Sequence, residues 1–253
     1  MRRASLLLAA ISLVFGLGAS VMASSQQTVL EVVQNSTERK PLPDDQGWIQ
    51  KTIVGSNAEN GEVTVELRLS NTTIDSDSTA ILDPEIFIVL DISPSMDFVS
   101  PNGLTRLEQA VPPTKTLINS IFEEIPNARV GIVTFHGRTG GFFPPVGINQ
   151  SQLIQGLTTN KDALLSSMDQ ILANGTQGGT NIDAGLQRAE RNFSANAQNK
   201  VIVLITDGVP NADVPNTNVP DPNDLSSPGM QTVMNNTRST LQRLGGSGYS
   251  IIS

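Results

Sequence analysis

The chain has 253 residues, of which 16% are charged and 4% are aromatic, and it contains no cysteine. This length is enough for one α/β domain with its own core and a smaller appendage. The composition excludes a disordered acidic tail and a bundle of membrane helices. The formal net charge is −8, which argues against a nucleic-acid-binding protein, because such proteins need a basic surface. Disulfides cannot contribute to the stability of an exported chain without cysteine.

Residues 1–23 have the layout of a secretory signal peptide. Arg2 and Arg3 precede an uncharged apolar stretch, and Val21-Met22-Ala23 places small or apolar residues before the expected cleavage point. A retained membrane anchor is the alternative, because the apolar stretch approaches the length that spans a bilayer. We expect cleavage after Ala23, a secreted or cell-surface protein, and no membrane insertion after cleavage.

Residues 24–84 are predicted to form a small β-rich segment and linker. Apolar and polar residues alternate from Val63 to Leu69, which is the period of a half-buried strand. Asn60-Gly61 is a hairpin-turn signal, so residues 48–54 are the expected partner strand. Two strands are not stable alone, so this segment must pair with further chain.

Residues 85–253 alternate between predicted strands and predicted helices. Continuous apolar runs at 86–90, 130–135 and 201–205 are typical of strands covered on both faces. Helical spacing follows at 164–172, at 182–193 and after Ser227, which is the expected N-cap of a helix with Pro228 at its first position and Gly245-Gly246 at its end. This alternation predicts an α/β fold with a doubly wound, mostly parallel sheet.

Two places depart from that simple pattern. Pro112-Pro113 interrupts the helical spacing of residues 107–122, so we expect a kink, or a short turn followed by a new helix. Residues 248–253 look like the opening of another strand, without a closing helix after it. We therefore expect 85–253 to be a domain truncated at its C-terminal end.

Oxygen-bearing side chains follow the predicted strands. Asp91-Ile92-Ser93-Pro94-Ser95 follows the first strand, Gly178-Gly179-Thr180-Asn181 precedes a helix, and Thr206-Asp207-Gly208 follows a later strand. A parallel sheet brings such loops to one edge. Carboxylates and hydroxyls suit a hard cation such as Mg²⁺, which takes about six oxygen ligands. With His136 as the single histidine, zinc has few ligands available.

These three elements together resemble the metal-ion-dependent adhesion site of von Willebrand factor A (vWA) domains. The resemblance covers about 85–253 and includes the phrase at residues 129–135. It implies that the metal is held by Asp91, Ser93, Ser95, Thr180 and Asp207, with the two aspartates acting directly or through water. Mg²⁺ is the first candidate, and Mn²⁺ or Ca²⁺ are alternatives. Pro94 stands where the family often has Gly, which removes no ligand.

The resemblance also implies a function. It indicates a secreted or cell-surface adhesion module whose cation binds an acidic group of an extracellular protein partner. The β-rich segment, with Lys51, is similar to surface and pilus adhesins of Gram-positive bacteria, which can cross-link a Lys to an Asn within a β-domain. The long loop between Gly208 and Met230 is expected to form part of the binding rim, and a disordered segment is the alternative.

Other functions are weighed against this one. A Mg²⁺-dependent phosphohydrolase with Asp91 as nucleophile is disfavoured, because Ser93 stands where a second carboxylate is needed and the three loops contain no Lys or Arg. We therefore do not predict an enzyme. A metal-stabilised structural subunit of a surface assembly remains the alternative. Asn181 is expected to cap a helix, and His136 to be edge structure.

Overall fold

The computed structural model describes residues 10–14, 37–41, 47–57, 62–71, 84–137, 147–208, 210–212, 224 and 226–253. The chain divides into two compact units. One contains Met1–Ile81 and Val99–Pro126, and the other contains Leu82–Phe98 and Asn127–Ser253.

The first unit contains an antiparallel sheet. Its strands are β1 (Ala10–Val14), β2 (Thr37–Pro41), β3 (Gly47–Asn57) and β4 (Glu62–Asn71), in the order β1-β4-β3-β2. Strands β3 and β4 pair from Gly47 opposite Asn71 to Asn57 opposite Glu62, so the predicted pairing of residues 48–54 with the alternating strand is confirmed. The Asn60-Gly61 turn lies outside the described residues. Strand β1 falls within the predicted signal peptide, whose cleavage stays a prediction.

The helix of this unit, α1 (Arg106–Glu124), begins with a capping box. The Glu108 N–H donates to Thr105 Oγ1 at 3.1 Å, and the Thr105 N–H donates to Glu108 Oε2 at 2.7 Å. Pro112 and Pro113 lie inside this single helix, so of the two expected alternatives the short turn followed by a new helix is wrong, and the kink stays a prediction. Each proline disfavours a helix interior by about 3 kcal/mol. The cap and the burial of Leu107, Val111, Leu117, Ile118 and Ile121 offset that loss.

The second unit is built on a five-stranded sheet. Its strands are β5 (Glu85–Asp91), β6 (Arg129–Phe135), β7 (Ser151–Thr158), β8 (Lys200–Ile205) and β9 (Tyr249–Ile252), in the order β7-β6-β5-β8-β9. All adjacent pairs are parallel except β6 and β7, which are antiparallel. The predicted α/β fold with a mostly parallel sheet is confirmed. The strand expected within 248–253 is β9, whereas β7 was not predicted.

Three helices of this unit, α2 (Lys161–Asn174), α3 (Ile182–Glu190) and α4 (Pro228–Gly246), match the predicted helical segments. Helix α4 starts as expected, with Ser227 Oγ accepting from the Met230 N–H at 3.3 Å. The end of α4 differs from the prediction, because Gly245 and Gly246 lie inside the helix. The left-handed residue that follows the helix is Gly248, with φ of 83°. Among the described residues, no helix is both long and apolar enough to cross a bilayer.

Helix α3 packs against one face of the sheet. Its residues Ile182, Leu186 and Ala189 share a buried core with apolar residues of β5, β6 and β8. The approach is close at Gly185, where a Cβ would lie 2.7 Å from a ring carbon of Phe135. This packing holds the start of α3, and with it the preceding residues 178–181, near the carboxyl end of the strands.

Candidate functional site

The loop after β5 is organised around a buried carboxylate. Asp91 has no exposed surface. Its Oδ1 accepts from the Ser93 N–H at 2.8 Å, and its Oδ2 accepts from the Thr206 hydroxyl at 2.6 Å. A short 3₁₀ helix, Pro94–Asp97, follows. Proline suits the first position of such a helix, because its fixed φ is compatible and no N–H is needed there. Pro94, which stands where the family often has Gly, is therefore compatible with this 3₁₀ helix.

A chain of side-chain contacts links this loop to the loop after β8. Ser93 Oγ lies 3.0 Å from Ser95 Oγ, and the Ser95 hydroxyl donates to Asp207 Oδ1 at 2.7 Å. Together with the bond from Thr206 to Asp91, two hydrogen bonds connect the ends of adjacent parallel strands. Four of the five predicted site residues are thus in one connected group.

The fifth residue, Thr180, lies beside the same group. A Cβ at Gly208 would be 3.6 Å from Ser95 Oγ and 3.8 Å from Thr180 Oγ1, so both hydroxyls approach the Gly208 backbone. Thr180 is buried, and within the described part of the chain its hydroxyl has no hydrogen-bond partner. The structure therefore brings all five predicted residues to one edge of the sheet; that they bind a metal stays a prediction.

The electrostatics of the group follow from burial. Burial raises the pKa of Asp91 from 3.8 to about 6. Hydrogen bonds from Thr206 and Ser93 oppose this rise by favouring the carboxylate, and the negative charge of Asp207 adds to it. The raised pKa means that the surrounding groups do not fully compensate the negative charge of the ionised Asp91 carboxylate. A cation at this position would supply the missing compensation.

The donor atoms fit a hard divalent cation. Neighbouring ligands of an octahedral ion with bonds of 2.0–2.1 Å lie about 2.9 Å apart. The spacings of 3.0 Å between the two serine oxygens and 2.7 Å from Ser95 to Asp207 are close to this value. Among the described residues, no group of three or more His, Cys, Asp or Glu side chains is placed to hold a metal ion. A cation here would depend on hydroxyl ligands, as a hard ion allows.

Three residues outside the predicted set, Asn211, Ala212 and Gly137, contact the Thr180 peptide. Asn211 Oδ1 accepts from the Thr180 N–H at 2.8 Å, and the Thr180 carbonyl accepts from the N–H groups of Asn211 and Ala212 at 2.9 and 3.2 Å. The backbone of Gly137 also approaches, since a Cβ there would lie 2.6 Å from the Thr180 nitrogen. Neither Asn211 nor Gly137 carries a local signal in the sequence, because each acts through a contact with a distant segment.

Of the two polar residues that were not assigned to the site, Asn181 is confirmed as a helix cap. Asn181 caps α3, its Oδ1 accepting from the Ala184 N–H at 2.9 Å, and its amide donates to Gln150 Oε1 at 2.6 Å. His136 follows the end of β6, is buried, and contacts the Gly137 carbonyl oxygen through Nδ1 at 2.6 Å. Most of the loop between Gly208 and Met230 lies outside the described residues, so its predicted role in the rim is untested.

Comparison with known proteins finds a similarity to one protein family. The family model of the von Willebrand factor type A domain matches residues 86–209. An uncharacterized protein of Borreliella burgdorferi is 30% identical over 133 residues, which are 51% of this chain and 33% of that protein. This chain therefore spans about a third of the length of the curated relative it matches.

The solved structures that the chain matches include three proteins of low identity. The pilus adhesin SpaC from Lactobacillus rhamnosus GG is 16% identical, with 85% of this chain and 27% of that chain covered and a TM-score of 0.49. An aerotolerance-related membrane protein from Bacteroides fragilis is 22% identical, with coverage of 66% and 65% and a TM-score of 0.45. Manganese-loaded TRAP protein from Plasmodium vivax is 14% identical, with coverage of 67% and 56% and a TM-score of 0.43.

Proposed function

We propose that residues 86–209, which match the family model of the von Willebrand factor type A domain, belong to a vWA domain, and that the chain is a cation-dependent binding module. The divalent cation, Mg²⁺ before Mn²⁺ or Ca²⁺, is held by Asp91, Ser93, Ser95, Thr180 and Asp207. The bound cation takes a carboxylate of an extracellular protein as a further ligand. The module serves adhesion at the cell surface or after secretion.

The observation that carries this proposal is the connected group of oxygen atoms from separate loops. Ser93, Ser95 and Asp207 are spaced at 3.0 and 2.7 Å, next to the buried carboxylate of Asp91. Hydroxyl ligands bring no negative charge, so a divalent ion bound mainly by them would keep more of its positive character than in an all-carboxylate site. Such an ion favours an anionic last ligand, and a partner carboxylate meets that need.

Binding accounts for these residues better than catalysis. Transfer of a phosphoryl group needs cationic groups around the developing charge, whereas residues 91–97, 176–180 and 206–212 contain no Lys or Arg. The position two residues after Asp91 is Ser93, whose hydroxyl contacts Ser95 and is a poor general acid. A purely structural cation is the remaining alternative, and it predicts that EDTA lowers stability while no partner binds.

The surrounding organisation is part of the same proposal. We propose that residues 1–23 are a cleaved signal peptide, that 24–84 form a β-rich segment and linker, and that 85–253 form the vWA domain. The more specific version of this proposal is an adhesin of the Gram-positive pilus type with a cross-link at Lys51. Mass spectrometry of the exported protein tests the cleavage, and an N-terminus other than Ser24 or a close neighbour contradicts it.

The binding function is tested by panning a phage-displayed peptide library against the full chain, once in MgCl₂ and once in EDTA. We expect enrichment in MgCl₂ only, and an Asp or Glu in every enriched family of peptides. Replacing that acid by its amide should abolish binding. Enrichment that survives EDTA, or peptides that bind equally well as amides, would contradict the proposal. Two variants are compared as a matched pair. Asp207→Asn should no longer enrich these peptides in MgCl₂, whereas Asp162→Asn, an exposed change on α2, should enrich them as wild type does.

A further inference from the structure

We infer that Asn211 is a positioning residue of the cation site, which holds the peptide of Thr180 against the loop that carries Asp207. This inference rests on the proposed function and extends it to a residue outside the ligand set. Asn211 lies four positions after Asp207, and its contacts run to the separate segment that carries Thr180.

The contacts between Asn211 and Thr180 are reciprocal. The Thr180 N–H donates to the side-chain oxygen of Asn211 at 2.8 Å, and the Asn211 N–H donates to the Thr180 carbonyl at 2.9 Å. The Ala212 N–H donates to the same carbonyl at 3.2 Å. Both polar groups of the Thr180 backbone are therefore bonded to one short segment. A reciprocal pair of this kind restricts rotation as well as distance.

Thr180 depends on these bonds because no regular element contains it. It lies between residues 178–179, which are irregular, and Asn181, which caps α3. Within the described residues no strand or helix hydrogen bond involves its N–H or carbonyl, so the Asn211 and Ala212 bonds determine where its hydroxyl lies. That hydroxyl has no hydrogen-bond partner in the same part of the chain. Its orientation toward the site therefore comes from the backbone.

The amide of Asn211 supplies a neutral acceptor. An Asp at position 211 would keep an acceptor oxygen for the Thr180 N–H, whereas an Ala would leave that N–H without its partner while keeping the backbone bonds from 211 and 212. Residues that orient metal ligands without binding the metal typically contribute about 10-fold to 100-fold in affinity. Asn211→Ala should fall in that range, and Asn211→Asp should restore most of the loss.

The test is calorimetric titration of the full chain with MgCl₂, for wild type, Asn211→Ala, Asn211→Asp and Asn192→Ala. Asn192 is the matched control, because its amide donates to the Arg188 carbonyl at 2.7 Å, at the far end of α3. We expect the Ala variant at 211 to bind about 10-fold or more weakly, the Asp variant to bind close to wild type, and the control to match wild type. Equal affinity of wild type and Asn211→Ala, or equal weakness of the Ala and Asp variants, would overturn the inference.

A second measurement needs neither metal nor a folded variant. Amide hydrogen exchange of wild type in EDTA should show the Thr180 N–H protected, since its acceptor is a fixed side chain. Exchange at the rate of an exposed amide would overturn the inference even if the cation binds. If wild type binds no cation while Thr180 is protected, the proposed function fails and the contact remains as structure only.

Discussion

Replacing Asp91 by Asn should stabilise the metal-free chain and at the same time remove its response to Mg²⁺. Asp91 is buried, and its carboxylate oxygens accept from Ser93 and Thr206. An Asn keeps one acceptor for the Ser93 N–H and can donate to the Thr206 oxygen, whose hydroxyl rotates freely. The substitution therefore removes the buried charge with little change in shape. Opposite effects on stability and on metal binding are expected of a residue kept for a functional site.

The magnitude follows from the pKa of Asp91, which burial raises from 3.8 to about 6. Because the folded pKa lies above the unfolded one, the folded state holds the extra proton between about pH 4 and pH 6. The contribution of Asp91 to the free energy of unfolding of the metal-free chain is therefore largest below about pH 4. This contribution falls as the pH rises through about 6. At pH 7 the ionised carboxylate destabilises the fold by about 3 kcal/mol, at about 1.36 kcal/mol for each pH unit. The Asp91→Asn variant would avoid most of that penalty.

The assay is urea denaturation at pH 5 and pH 7, in EDTA and in MgCl₂. Asp91→Asn should exceed wild type in EDTA by about 2 to 3 kcal/mol at pH 7, and by less at pH 5. MgCl₂ should stabilise wild type and leave the variant unchanged. Asp162→Asn, an exposed change at the start of α2, should show neither effect. A variant that is less stable than wild type in EDTA, or that still gains stability from MgCl₂, would refute the reasoning.

Three further substitutions separate the site from its scaffold. Gly137→Ala should weaken Mg²⁺ binding about 10-fold in calorimetry, because its Cβ would lie 2.6 Å from the Thr180 nitrogen; unchanged affinity would show that this contact is not needed. Thr105→Ala removes the capping box of α1 and should lower the free energy of unfolding by about 1 kcal/mol in urea denaturation, with unchanged Mg²⁺ affinity. A change in Mg²⁺ affinity would contradict the prediction that this cap is independent of the cation site. Leu186→Ala, in the fully buried α3 core, should cost about 2 to 5 kcal/mol, and a loss under about 1 kcal/mol would contradict the packing described.

The parts of the fold that could be predicted are those where burial dictates the sequence. The central strands β5, β6 and β8 are covered on both faces, so they appear as continuous apolar runs. The order of these elements then predicts a parallel sheet, and the parallel sheet places Asp91, Ser93, Ser95 and Asp207 at one edge. The proximity of these residues was thus predictable from topology, whereas their binding of a metal stays a prediction that rests on a family resemblance.

The parts that could not be predicted depend on contacts between distant segments. Strand β7 lies at the sheet edge and has several partly or fully exposed residues, so its apolar pattern is weak. Nothing in its local sequence indicates that it runs antiparallel to its neighbour. Helix α1 continues through Pro112-Pro113 because of burial that propensity does not report. Asn211 belongs to an ordinary polar loop by sequence, and only its bonds to Thr180 connect it to the site.

The most direct test of the central claim is calorimetric titration of the full chain with MgCl₂, MnCl₂ and CaCl₂, beside Asp207→Asn. Asp207 accepts the Ser95 hydroxyl at 2.7 Å, so its amide variant can keep that hydrogen bond between the two loops while it removes the negative charge of a proposed ligand. Saturable binding of one cation per chain in wild type, absent in Asp207→Asn with the fold retained, is the predicted result. A folded wild-type chain that binds none of the three cations, or a variant that binds them as well as wild type, would contradict the claim.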